Sequence, residues 1–169
     1  MTYDEIKKNK EVCECLKKGN ENLGVLGFTD HSAAHCTMVA KRAAYILKKF
    51  GYSESDIEMV KIAGFMHDIG NVVNRSRHAE YGAILANEIL KETDMSLKDR
   101  ITVVSAIGHH DESTGGATDP ISASAQGNPT RWSAPRTAGT WSASNTRSTI
   151  ARSSLSRKRM KGLSPTSSR

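Results

Sequence analysis

The acidic residues of this chain stop at Asp119. All 18 of them lie at or before that position, together with 15 of the 24 basic residues, so residues 1–119 carry a net charge of −3. The following 50 residues contain nine basic and no acidic residues, 12 Ser and 6 Thr, without a hydrophobic period of 2 or 3.6. Such a composition buries too little apolar surface to offset the entropy lost on ordering. We therefore expect one folded domain, residues 1–121, and a disordered Ser/Arg-rich tail, residues 122–169.

Three interpretations of the tail are open. It is a basic arm that binds nucleic acid through Arg152 to Lys161, a solvated linker, or the product of translation in a shifted reading frame. The third is favoured, because a shifted frame abolishes periodicity and removes acidic residues abruptly. A back-translation of Ser142 to Lys161, shifted by one base, also permits an acidic, β-branched sequence. Nucleic-acid binding is expected from the tail alone, and it is not the favoured function.

The rest of the composition excludes some classes of protein. No apolar run approaches the roughly 18 residues that a membrane span needs, so no membrane association is expected. Met1 to Lys10 is polar and alternates in charge, unlike a signal or transit peptide, and we expect a cytoplasmic protein. Cys13, Cys15 and Cys36 form the odd, sparse set typical of reduced thiols. On a helix Cys13 and Cys15 point apart, which disfavours a metal site between them.

Residues 1–119 have the pattern of consecutive helices. Thr2 with Glu5, and Ser53 with Asp56, have the spacing of capping boxes, and apolar residues recur at helical spacing. No alternating strand pattern of useful length is present. The sequence therefore predicts an all-α bundle of about five helices. These helices run from Thr2 to about Lys18, closed by Gly19; from Asp30 to Phe50, before Gly51; from Ser53 to Gly70; from Arg77 to Lys91; and from Ser96 to His110.

Two details of this prediction concern the second helix and the segment before it. Asn20 to Thr29 contains two glycines and is predicted to be a loop. The apolar stripe of the second helix is predicted to consist of Ala34, Met38, Ala43, Ile46 and Leu47.

Histidines and acids gather where the predicted helices begin or end. His31 and His35 are four residues apart and share a helix face, His67 precedes Asp68, and His78 begins the fourth helix. His109-His110-Asp111 follows the fifth helix. Such donors would repel one another and lose solvation unless a cation lay among them. Imidazoles with a carboxylate that can bridge are typical of dinuclear hydrolytic sites, in which two cations about 3.5–4 Å apart polarise a phosphoryl group and activate a water.

The order of these motifs resembles the HD superfamily of metal-dependent phosphohydrolases, over about Gly27 to Ile121. His78 and the pair His109-His110 are similar to the two-metal branch that includes the HD-GYP cyclic-dinucleotide phosphodiesterases. The motifs that carry the resemblance are His35 with Met38-Val-Ala40, Phe65-Met-His-Asp-Ile-Gly70, Arg77-His-Ala-Glu-Tyr-Gly-Ala83 and Gly108-His-His-Asp-Glu112.

The resemblance implies a metal-dependent hydrolase acting on a small phosphate ester, with a nucleotide as the favoured substrate. It implies one or two divalent ions (Mn, Fe, Mg or Zn), attack by a hydroxide that bridges them, and His67 and Asp68 as catalytic residues, with Asp68 as the bridge. Arg75 and Arg77, in the loop before His78, are candidates to neutralise substrate phosphate; solvated loop charges are the alternative. His31 is expected to be a neighbour only. The implied metal ligands are His35, His67, Asp68, His78, His109 and His110.

The chain departs from the family pattern in three places. It has no Gly-Tyr-Pro segment after the paired histidines, so specificity for cyclic di-GMP does not carry over. Asn71 stands where many members have Lys. Members continue into a further helix with a final Asp ligand in a segment resembling Ala-Asp-Lys, whereas here no acid follows Asp119. We therefore expect impaired activity. The alternative function is a non-catalytic regulatory or binding domain with a basic tail.

Overall fold

Every regular element in the part of the chain that the structure describes is helical. The structure is a computed structural model and describes residues 1–111 and 117–125, all within one compact unit, Met1–Ala134. The predicted all-α fold is confirmed. Within the described ranges, no helix combines the length and the apolar character that crossing a bilayer requires. The helices are α1 Tyr3–Ile6, α2 Lys10–Val25, α3 Ala33–Lys49, α4 Glu54–Met66, a 3-10 helix Ile69–Val72, α5 His78–Lys91, α6 Leu97–Gly108 and α7 Pro120–Ala125.

The helix α4 forms the centre of the core. Eight of its 13 residues are buried, and it packs against α1, α3, α6 and α7. A helix that is apolar on all sides is a buried one, which explains why the sequence shows no clear polar face between Ile57 and Met66. The predicted capping box of Ser53 and Asp56 is present at its start.

A close contact between α3 and α4 brings two of the histidines together. The buried residues of α3 facing the core include Ala40, Ala43 and Ala44. A Cβ added to Gly64 of α4 would lie 2.9 Å from the Cα of Ala40, so the helices approach to backbone contact here. As a result, the rings of His35 and His67 lie 5.5 Å apart between centroids.

The predicted apolar stripe of α3 was partly wrong. Ala34 and Met38 are exposed, whereas the small side chains of Cys36, Ala40 and Ala44 are buried. The close approach of α4 selects small residues for the buried face, and this leaves the larger Met38 outside.

The N-terminal helix boundaries also differ from the prediction. The chain breaks after α1 and restarts at α2, where the side chain of Asn9 accepts a hydrogen bond from the Val12 amide. Gly19 lies inside α2 and does not end it. A Cβ added to Gly19 would lie 3.1 Å from the backbone nitrogen of Val72. Packing against the 3-10 helix keeps α2 helical through the first residues of the predicted loop.

The helix α7 extends the folded part beyond residue 121. The carboxylate of Asp119 accepts hydrogen bonds from the amides of Ile121 and Ser122, and Ser122 and Ser124 are buried. This helix packs on α3, α4 and α6. The first four residues of the predicted tail are therefore helical. The prediction for residues 126–169 lies outside the described residues.

Candidate metal centre

The ends of four helices converge on one open cavity. His35 lies in the first turn of α3, His67 and Asp68 directly follow α4, His78 begins α5, and His110 follows α6. The cavity measures about 290 Å³, and its walls are formed by His31, His35, His67, Asp68, Arg75, His78, His110 and Asp111. Helices distant in sequence thus place all these donors around one space.

The segment after Asp68 passes very close to the start of α5. A Cβ on Gly70 would overlap the carbonyl oxygen of His78 and lie 2.5 Å from the amide nitrogen of Gly82. Only a residue without a side chain permits this approach. The contact places Asp68 beside His78, with Oδ1 3.7 Å from Nε2.

Backbone hydrogen bonds set the tautomer of three histidines. Each places Nδ1 at hydrogen-bond distance from a carbonyl oxygen, which accepts from an Nδ1–H, so that the neutral form of each ring keeps its lone pair on Nε2. Metal-binding histidines in proteins are held in this way. The pairs are His67 with Gly64 at 2.8 Å, His78 with Arg75 at 3.0 Å and His110 with Ile107 at 2.7 Å.

Asp68 belongs to two sets of potential ligands. One consists of His35, His67 and Asp68, and the other of Asp68, His78 and His110; in each, one ligand atom per residue lies within 4.8 Å of the others. Oδ2 of Asp68 is 2.9 Å from Nε2 of His67 and 3.6 Å from Nε2 of His35. Because Oδ1 lies near His78 instead, one oxygen of this carboxylate is directed at each set.

The contacts within this cluster are unfavourable without a bound cation. The Nε2 atoms of His78 and His110 lie 3.0 Å apart. Because the Nδ1–H of each ring donates to a carbonyl, each Nε2 has a lone pair, and these two lone pairs face each other. Asp68 is 2% exposed, and its Oδ2 has a hydrogen-bond donor only when Nε2 of His67, 2.9 Å away, carries a proton. Facing lone pairs and a buried carboxylate oxygen without a donor are costly alone, and a cation satisfies both.

The protonation states of the cluster also favour a bound cation. Burial lowers the pKa values of His35 and His78 and lowers the pKa of His110 to about 3, so these three imidazoles are neutral at pH 7. For His67, burial also disfavours the charged form, but the Asp68 carboxylate outweighs it and raises the pKa well above the usual value. Burial raises the pKa of Asp68, yet the attraction of His67 prevails and holds it below the usual range. A cation would replace the one proton that this pair holds.

Two predicted site residues lie apart from both ligand sets. His109 is not a member of either; its Nδ1 lies 2.9 Å from the carbonyl oxygen of Ser105. Arg77 is exposed, its Nε lies 3.5 Å from a carboxylate oxygen of Glu80, and it does not line the cavity. The structure therefore brings neither His109 into a ligand set nor Arg77 to the cavity wall.

Arg75 and Asn71 lie directly beside Asp68. The side-chain amide of Asn71 donates a 2.8 Å hydrogen bond to Oδ1 of Asp68 and accepts a 3.3 Å bond from Nη1 of Arg75. That Nη1 is 3.9 Å from Oδ1 of Asp68. The sequence marked Asn71 only as the absence of a lysine; its amide, at the third position after Asp68, is the signal that could have identified it.

Comparisons with known proteins agree with this geometry. An uncharacterized protein of Methanocaldococcus jannaschii is 34% identical over 106 residues, which cover 54% of this chain and 41% of the relative. The chain thus spans less than half the length of that relative. No solved structure matches the chain. The model of the HD domain matches residues 33–149, well over half of the sequence, and this match shows that the chain belongs to the HD superfamily of metal-dependent phosphohydrolases.

Proposed function

We propose that this chain hydrolyses a phosphate ester of a small molecule, with a nucleotide as the favoured substrate. Up to two divalent cations are held, one by His35, His67 and Asp68 and the other by Asp68, His78 and His110. The observation that carries the proposal is the buried carboxylate of Asp68, shared between two sets of Nε2 atoms that face one cavity. When bound, such cations polarise a phosphoryl group and make water nucleophilic at neutral pH.

Three residues around the cations have distinct roles. Asp68 keeps a negative charge where two positive charges must lie close together. Asn71 fixes the rotamer of that carboxylate through its 2.8 Å hydrogen bond, and Arg75 brings a guanidinium to the cavity wall. A guanidinium binds phosphate oxygens with two N–H donors at once, so Arg75 is the residue that neutralises and orients the substrate phosphate.

The test combines metal content with turnover. Purified protein supplied with Mn, Fe, Mg or Zn should retain up to two ions by elemental analysis and release nitrophenolate from bis(p-nitrophenyl) phosphate. Asp68→Asn should lose both properties, and the exposed control Arg77→Gln should keep both. A folded protein that holds no ion from any of these metals would contradict the proposal.

A non-catalytic role is the second candidate, because the final Asp ligand that the resemblance implies has no counterpart after Asp119. In that case the metal centre stabilises a binding or regulatory domain. Stoichiometric metal with no turnover of any phosphoester would favour this function.

A further inference from the structure

The helix α3 differs from the other long helices in its charge. Residues 31–53, which include all of α3, contain four basic and no acidic residues. Each of the helices α2, α4, α5 and α6 contains at least one acidic residue. Because residues 1–119 carry a net charge of −3, the positive charge of α3 is concentrated on one element of an acidic domain.

The basic side chains of α3 lie on the side of the helix that faces away from the core. The buried side of α3 consists of Cys36, Ala40, Ala43, Ala44 and Leu47. An α-helix turns by about 100° per residue, which directs the charged positions to the opposite side. The exposed residues there, which we call the basic face, are Lys41, Arg42, Tyr45, Lys48 and Lys49.

The cations of the basic face differ from those of other helices in their surroundings. Lys18 of α2, Lys61 of α4 and Lys91 of α5 each form an ion pair with a glutamate three residues away. Within the part of the chain that the structure describes, no carboxylate lies within ion-pair distance of a cation of the basic face. Uncompensated charges of one sign on one surface create a potential that attracts polyanions.

An exposed aromatic ring lies between two pairs of these cations. Lys41 and Arg42 precede Tyr45 by about one turn and Lys48 and Lys49 follow it by about one turn, so the pairs are about 10 Å apart along the helix. The Tyr45 side chain is 62% exposed, and Nζ of Lys49 lies 5.4 Å from its ring centroid. Surfaces that bind single-stranded nucleic acids combine cations along the phosphate backbone with aromatic rings on which bases stack.

Other polyanions match this face less well. A helix that binds at a lipid interface inserts an apolar face of its own, whereas the apolar face of α3 packs on α4. A nucleic acid duplex presents its phosphates but keeps its bases stacked inside, so Tyr45 would have no base to contact. A single strand uses both the charges and the ring.

We propose that the basic face of α3 binds a single-stranded nucleic acid, with phosphates at the two pairs of cations and a base on Tyr45. The sequence predicts nucleic-acid binding from the tail alone, so this surface adds a folded site to that expectation. The residues of the basic face belong to neither metal ligand set and do not line the cavity of the histidines. The inference therefore does not rest on the proposed function.

The test measures binding of the whole chain to a fluorescein-labelled oligothymidylate of about 15 nucleotides, a length in the range of single-strand sites. Fluorescence anisotropy is followed without added divalent ions. Lys41→Gln combined with Arg42→Gln should weaken binding by about tenfold or more at ~0.1 M salt. The slope of log K against log salt should fall in magnitude by about 1.4, since each phosphate contact on a single strand contributes about 0.7.

The matched control removes the same charge from another helix. Lys17→Gln combined with Lys18→Gln changes two lysines of α2, of which Lys18 pairs with Glu21. This variant should keep both the affinity and the salt dependence of the unchanged chain, because its lysines lie outside the basic face.

A second comparison isolates the contribution of the base. Tyr45→Ala should weaken binding of the oligothymidylate by about tenfold, because the stacking surface is lost, and Tyr45→Phe should retain the affinity. Inorganic polyphosphate has the charge without the bases. Its binding should respond to the double substitution at Lys41 and Arg42 and remain unchanged in Tyr45→Ala.

Other results would overturn the inference. Loss of affinity confined to Arg157→Gln combined with Lys158→Gln, two basic residues of the tail, would assign the binding to the tail. Equal effects of Tyr45→Ala on the oligothymidylate and on polyphosphate would contradict stacking of a base on this face. Binding to vesicles of phosphatidylserine and phosphatidylcholine that depends on Lys41 and Arg42, with none to the oligothymidylate, would identify a membrane surface instead.

Discussion

At the scale of single residues, substitution of Asp68 has the largest expected effect on metal binding. Both ligand sets contain it, so Asp68→Asn should abolish binding of both cations. His35→Ala and His110→Ala should each lose one cation and retain the other, because each removes a ligand from one set. Removing groups that merely orient metal ligands costs about 10–100-fold in affinity or activity, and loss of a ligand should cost more. Elemental analysis and calorimetric titration with Mn measure the stoichiometry.

The pair His109 and His110 provides a matched comparison. His110 belongs to a ligand set and His109 does not, although the family resemblance implies both as ligands. His109→Ala should therefore leave the metal content close to that of the unchanged protein. Loss of an ion in His109→Ala equal to that in His110→Ala would restore the prediction from the resemblance.

Arg75 and Arg77 are a second matched pair. We expect Arg75→Gln to lower kcat/KM for a phosphodiester by about 100–1000-fold without changing metal content, since one charged contact to a phosphoryl oxygen is lost. Arg77→Gln should have little effect, because this exposed side chain lies beside Glu80. Steady-state kinetics of both variants at saturating metal measure the difference. Equal losses would place Arg77 in the site.

At the scale of the elements, the 3-10 helix and the start of α5 set the distance between Asp68 and His78. Gly70→Ala would bring a methyl group onto the carbonyl of His78. We expect the free energy of unfolding to fall by about 1–3 kcal/mol, as for other overpacked sites, and the cation at His78 and His110 to be lost. Urea denaturation and elemental analysis of the same sample measure both effects.

Gly24 is the control for a glycine that packs against nothing. It lies within α2, and a Cβ there would meet no atom within 4 Å. Gly24→Ala should leave the metal content unchanged and raise the free energy of unfolding by about 0.5–1 kcal/mol, because alanine loses less entropy in a helix than glycine does. A similar loss of metal in both variants would mean that the contact of Gly70 with α5 does not position the site.

At the scale of the whole molecule, α7 marks the end of the part that packs on the core. Ile121, Ser122 and Ser124 are buried, so a chain that ends at Ala125 should keep the unfolding temperature and metal content of the full chain. Differential scanning calorimetry and elemental analysis of the two chains test this. A lower unfolding temperature of the shortened chain would show that residues 126–169 contribute to the fold and would contradict the predicted tail.

The shifted-frame hypothesis makes a separate prediction about activity. A chain whose coding frame is corrected after codon 121 should gain the missing acidic ligand and turn over phosphodiesters at least about tenfold faster, given the usual cost of losing support at a metal site. Equal turnover by both chains would mean that Asp111 or Asp119, or the tail itself, completes the site.

Local interactions explain what could be predicted from the sequence. The caps at Thr2, Ser53 and Ser96 are present as expected, and Gly51 ends α3 with φ +75°. Each depends on groups no more than a few residues apart, so the sequence pattern contains the whole interaction. The all-α fold and the family follow from such periodicity and from the order of the histidine motifs.

Only the tertiary structure decided which of these residues meet. The sequence could not separate His110 from His109, or Arg75 from Arg77, since neighbours in the chain share every local signal. Their difference arises from the end of α6 and from the loop before α5, where one residue of each pair faces the cavity. Asn71 and the buried Cys36, Ala40 and Ala44 of α3 were missed for the same reason. Their roles depend on the backbone approach at Gly64 and Gly70, and the free energy of that packing comes from partners far away in the sequence.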